Sequence, residues 1–155
     1  MTCGQYDYDP WEPQSPQRKD WDCSAAATAW MGRSLGWGWA ELDVAFGFQD
    51  LGIATPQLGL LDGTGVGIVR WLSLQPLPAI NFAASWAQLA NRDWSCPLIM
   101  GSSNWYHWVG VRSIDQDSVL NLANSAPGWA GIYQSLTRSQ FEHFGDFYAV
   151  SPTGE

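Results

Sequence analysis

The chain has 155 residues, 46% of them hydrophobic and 14% charged, which fits one globular domain with a real core and excludes a disordered chain. Its net charge of −8 repels phosphate backbones and anionic headgroups, so nucleic acid and charged membrane surfaces are not expected partners. No apolar run approaches the roughly 20 residues needed to span a bilayer.

The N-terminus, "MTCGQYDYDPWEPQSPQRKD", is polar and Pro-rich, and it lacks the basic and apolar regions of a signal peptide. The chain therefore reads as cytoplasmic, or as a mature or excised domain, with no oligomeric state written in it. Residues 1–13 read as an extended arm, because Pro10 and Pro13 remove backbone donors, and residues 14–155 read as a single domain.

"CSAAATAWMGRSLGWG" predicts the first helix, with Asp22 as N-cap, alanines for propensity and Gly36 as the stop. "WAELDVAFG" predicts a short second helix. "QDLGIATPQLGLLDGTG" is Gly-rich and turn-like. "GVGIVRWLSLQ" has helical apolar spacing, "LPAINFA" reads as a strand, and "SWAQLANRD" is a short helix capped by Ser85.

The period then changes to two. "PLIMGSS", "YHWVGVRSI", "SVLNLAN", "GIYQSLT" and "DFYAVS" predict strands, and "TRSQFEHFG" between the last two predicts a helix capped by Thr137 or Ser139. Helices first and consecutive strands afterwards predict an α+β fold, N-terminal helices packed on a mainly antiparallel β-sheet.

The three cysteines, Cys3, Cys23 and Cys96, match no zinc spacing, and two histidines add few ligands. No metal or cofactor is expected, and the chain reads as one without disulfides. Most of the eleven tryptophans are expected to pack the core, with some left to line a groove.

Cys23 is the thiol of interest. A helix start carries partial positive charge and free N–H groups, which favour a thiolate and predict a lowered pKa. A nucleophilic thiol needs a base and an orienting group. His107, at the start of a strand after a polar loop, is the base candidate over His143 on a late helix. If "YHWVGVRSI" and "SVLNLAN" form a hairpin through "DQD", the end of one strand lies beside the start of the other. Asn124 then sits by His107, with Asn121 as the competing choice. Asp115 and Asp117 fall at the wrong end of that hairpin. The Cys23 backbone N–H and the Gln17 amide are candidate donors to an oxyanion.

Together these residues resemble papain-like cysteine peptidases, and in particular the bacteriocin-processing, double-glycine leader peptidases and their free-standing relatives. The likeness rests on "QRKDWDCS", "DGTGVGIVRWL", "HWVGVRSID", "VLNLANSAPG" and "LTRSQFEHFGDFYAVS", in that order, over about residues 14 to 152. It departs from the pattern at Ser24, where the family has glycine, and at Asn124-Ser125, where it has Asp-Pro.

The resemblance implies a papain-like fold and a cysteine peptidase cutting a peptide or isopeptide bond of a peptide or protein substrate through a thioester. Cys23 would be nucleophile, His107 base and acid, Asn124 the orienting residue and Gln17 the oxyanion donor. Trp21, Ser24 and Trp105 would border a substrate groove. A non-catalytic peptide-binding module on the same fold, and a peptidoglycan amidase or effector variant, stay open as alternatives.

Overall fold

The computed structural model describes residues 8–14, 22–75, 77–115, 119–125 and 133–153. Its elements are α1 (Cys23–Ser34), α2 (Glu41–Asp50), β1 (Ala54–Thr55), β2 (Gly59–Leu60), α3 (Val66–Leu74), β3 (Ala79–Ala83), α4 (Trp86–Ala90), β4 (Leu98–Ser102), β5 (His107–Asp115), β6 (Val119–Ala123), β7 (Ser135–Thr137), α5 (Arg138–Phe144) and β8 (Phe147–Pro152). The fold is α+β. Six strands form an antiparallel sheet in the order β3-β8-β4-β5-β6-β7.

Alternation along the strands gives the sheet two buried faces. Ile99, Trp108 and Val150 turn towards α1, α2 and α3, in a core built on Trp30, Phe48, Ile68 and Leu72. Leu98, Met100, Val109, Val111 and Ala149 turn the other way, towards Trp86 and Leu89 of α4 and Phe141 of α5. The first core contains α1, which therefore lies against the middle of the sheet. The alanines of α1 are buried, and their small side chains permit that close approach. The indole of Trp30 lies where a Cβ on Gly110 of β5 would overlap it.

α1 ends as the sequence predicts. Gly36 adopts φ 91, and Trp37 N–H donates to the Gly32 carbonyl, a left-handed cap that satisfies the last turn. At the start, Asp22 occupies the N-cap position but makes no side-chain capping bond. Ser85 and Thr137 close full capping boxes with Gln88 and Gln140.

Two elements differ from expectation. The Gly-rich segment after α2 holds a two-stranded hairpin, β1 with β2, where only turns were predicted. β7 covers Ser135–Thr137, the last part of the predicted "GIYQSLT" strand.

The described part of the N-terminal segment docks on α1 and β5. Asp9 N–H donates to Ser34 O, the Trp30 indole N–H to Glu12 O, and Arg112 Nη1 to both Pro10 O and Glu12 O at 2.8 Å each. Cys96 is disulfide-bonded, which corrects the expectation of a chain without disulfides. Local spacing gave no sign of it, because such a bond depends on which segments meet in space. Among the described residues no helix is long and apolar enough to cross a membrane.

Candidate active site

Cys23 is the first residue of α1, and His107 is the first residue of β5. Both line one cleft of about 340 Å³, at the end of the sheet where α1 begins. The β1–β2 hairpin contributes Leu58, Gly59 and Leu60 to its wall, and the turn between β4 and β5 contributes Ser103 and Tyr106. Among the described residues that line it, none carries an acidic or a Lys/Arg side chain.

β5 pairs with β6 so that Gly110 faces Ala123, which carries Asn124 back towards the start of β5. The Asn124 Oδ1 lies 2.7 Å from His107 Nε2. On its other side, Asn124 Nδ2 donates to the Tyr133 carbonyl at 2.8 Å. That carbonyl accepts only, so it fixes which end of the amide faces the imidazole. Oδ1 must then accept from Nε2–H, and the neutral ring keeps its lone pair on Nδ1.

Asn121, the competing choice, donates to Ser113 Oγ and Asp115 Oδ1, away from His107. His143 lies exposed on α5 and does not line the cleft.

The imidazole is buried and stacks edge-on against Trp105, with centroids 5.1 Å apart and planes at 83°. Burial lowers the His107 pKa from its ordinary value, partly offset by the Asn124 bond, which favours the protonated ring.

Burial pushes the Cys23 thiol up to about 11. Backbone N–H groups of Trp108, Ser24 and Cys23 act in the lowering sense, while the Asp22 carboxylate adds to the rise. This corrects the prediction of a lowered thiol pKa. The helix-start donors are present, but the loss of water outweighs them. Both shifts favour the uncharged forms, thiol and neutral imidazole.

The groove predictions fare differently. Ser24 and Trp105 are buried, at 2% and 0% exposure, and neither lines the cleft. Ser24 lies buried in the first turn of α1, where its backbone carbonyl accepts from Thr28 Oγ1. Trp105 stacks on Phe144 behind the histidine. Gln17, Trp21 and Cys3 lie outside the described residues. The cleft residues that sequence reading missed include Leu58, Gly59, Leu60, Ser103 and Tyr106. The apolar pairs flanking "TPQLG" were the available signal for a hairpin there. No group of His, Cys, Asp and Glu that could hold a metal ion occurs among the described residues.

No family model matches the chain, and no curated protein matches it. Solved structures do. A double-glycine-motif protease from an AMS/PCAT transporter, in complex with the leader peptide, superposes with a TM-score of 0.70 at 15% identity, covering 95% of this chain and 96% of that one. The peptidase domain of Streptococcus ComA, a bifunctional ABC transporter involved in quorum sensing, gives 0.68 at 15% identity, over 92% and 99%. A protein from Bacillus anthracis described as a C39-like peptidase gives 0.64 at 11% identity, over 94% and 96%. The chain thus has the fold of these peptidase domains along nearly its whole length.

Proposed function

We propose that the chain is a cysteine peptidase that cuts a linear peptide substrate. The observation that carries this reading is the 2.7 Å pairing of His107 Nε2 with Asn124 Oδ1, at the edge of the cleft that Cys23 also lines. That pairing leaves Nδ1 as the base. Fold kinship with proteases, one of them bound to a leader peptide, supports a peptide as the substrate.

In this mechanism the Cys23 sulfur attacks the scissile carbonyl carbon as its proton passes to His107 Nδ1. The carbonyl π bond becomes an oxyanion, with Gln17 and the Cys23 N–H as its donors. The imidazolium is stabilised by Asn124 Oδ1, and it then protonates the leaving amine as the C–N bond breaks. Water attacks the resulting thioester, gives a proton to Nδ1, and releases the acid. The proton returns to sulfur and restores the thiol. With shifts that favour both neutral forms, proton transfer accompanies attack in this mechanism.

The test is cleavage of a peptide library by the wild-type chain and by Cys23→Ala, read by mass spectrometry. Products from the wild type alone support the reading. Equal cleavage by both, or none by either, ends it. A peptide bound but not cut by the wild type would make the chain a binding module on a peptidase fold.

A further inference from the structure

His107 follows directly on a tight turn, residues 103–106, and that turn is held from outside. Asn104 Nδ2 donates to the Phe144 carbonyl at 2.6 Å and lies 3.3 Å from Asp146 Oδ2. Ser102 Oγ donates to the Gly145 carbonyl at 2.6 Å and accepts the Asn104 N–H at 3.1 Å. The contacts bind the β4–β5 turn to the corner between α5 and β8, 40 residues further along the chain.

Backbone strain collects at the same junction. Tyr106 has φ 53 and Asp146 has φ 50, and they are the non-glycine residues with positive φ among the described residues. One is adjacent to His107, and the other receives Asn104. Trp105, between Asn104 and Tyr106, stacks on Phe144 at 5.4 Å and meets the His107 ring edge-on. Residues held in sparsely populated conformations persist only where their surroundings over-determine them. The Asn104 amide, reaching two acceptors on the corner, supplies that constraint on the turn.

We propose that Asn104 is a positioning residue: by clamping the β4–β5 turn to the α5–β8 corner, it holds His107 in register with Asn124 at the cleft. The inference rests on His107 acting as the base of the proposed reaction, but the placement of the ring can be tested separately. Without the clamp, the turn relaxes towards ordinary backbone angles. The imidazole then swings outward, gains water and loosens its bond to Asn124. A bond that merely stabilised the hairpin would change the folded fraction and leave the ring's surroundings alone. The titratable and charged groups on neighbouring elements are Asp22 at the N-cap of α1, Cys23, Tyr106 of the turn, Tyr133 ahead of β7, Arg138, Glu142 and His143 of α5, Asp146, and Tyr148 of β8.

The experiment uses the full chain. The His107 ring is titrated by NMR, one of two histidines, and steady-state cleavage is measured on the same samples. Asn104→Ala is expected to move the His107 midpoint up towards the ordinary imidazole value. It should also lower kcat about tenfold or more, with KM changed less than about twofold. Asn91→Ala deletes a similar amide-to-carbonyl bond, to Ala87 O in α4, and should leave both readings as in the wild type. Should Asn104→Ala not fold, Asn104→Asp, which keeps the shape and loses the donors, is read in the same way.

A folded Asn104 variant with an unmoved His107 titration overturns the proposal, as does a fall in kcat that only tracks the unfolded fraction. So does an equal shift in Asn91→Ala. If the wild type cuts no peptide, the enzymatic reading fails, and the titration still decides the role of Asn104.

Discussion

At the scale of the residue, the opposed shifts of Cys23 and His107 bear on the proposed chemistry. The imidazole pKa sits below its ordinary value and the thiol rises to about 11, so both groups favour their neutral forms. Activity should climb as His107 loses its proton, with an acid limb below the ordinary imidazole pKa of about 6.5. It should then stay level until the thiol itself ionises. A kcat/KM profile measures this, and an acid limb above that value would contradict it. Alkylation of Cys23 by iodoacetamide should keep rising with pH beyond 9 instead of levelling near neutrality.

Stability follows the same sign. A thiol pKa raised on folding stabilises the fold fully below the ordinary value of 9.0, and that contribution is lost as pH rises towards about 11. Cys23→Ala should therefore lose less stability than the wild type between those values in alkaline urea melts. Replacing Asn124 with Ala frees the imidazole to turn and takes away the acceptor that fixes its tautomer. A drop in kcat of on the order of 10²-fold is expected, with the fold intact by circular dichroism. The neighbourhood of His107 and Asn124 is legible in the sequence, since counting back along one hairpin leads from one to the other. The direction of the thiol shift is not legible, because burial depends on the whole fold and not on the helix start alone.

At the scale of the element, the strong local signals carry through. Ser85 with Gln88 and Thr137 with Gln140 encode capping boxes within four residues, and Gly36 encodes a left-handed stop. The β1–β2 hairpin was lost among glycines because two-residue strands show no period. The tryptophans divide in a way that composition cannot reveal. Trp39, Trp71, Trp108 and Trp30 lie where Gly32, Gly47, Gly101 and Gly110 have no side chain. These glycines serve close approach of an indole, and Trp108 alone of the four borders the cleft. Gly110→Ala would drive a Cβ into the six-membered ring of Trp30, which is fully buried between α1 and β5. A loss of about 1–3 kcal/mol is expected from such overpacking, read as a lower urea midpoint. An unchanged midpoint would mean that α1 can lift off β5 at little cost.

At the scale of the whole molecule, two helical layers enclose one sheet, and the N-terminal segment fastens across the junction of α1 and β5. Its prolines predict an extended arm, and nothing local says where that arm goes. The missing information lies about 100 residues away, in Arg112. Its guanidinium donates to Pro10 O, Glu12 O and Leu122 O, and sits 5.7 Å from the ring centroids of both Trp11 and Trp30. Carbonyls that prolines free from regular structure are thus taken up by one planar, five-donor group. Burial lowers the pKa of Arg112, but a guanidinium stays charged at any working pH, so this contact does not switch with acidity. In the sequence the clasped Glu12 stands eleven residues before Cys23. A lysine cannot reproduce the fork, since an ammonium offers a point charge on a flexible stem. Arg112→Lys should therefore release the arm while leaving the sheet formed. Expected are a stability loss of about 1–3 kcal/mol and faster limited proteolysis before residue 22. Wild-type proteolysis rates in Arg112→Lys would show instead that the Tyr8 hydroxyl, which donates to the Arg112 backbone carbonyl, Asp9 and the Trp30 indole hold the arm without the guanidinium.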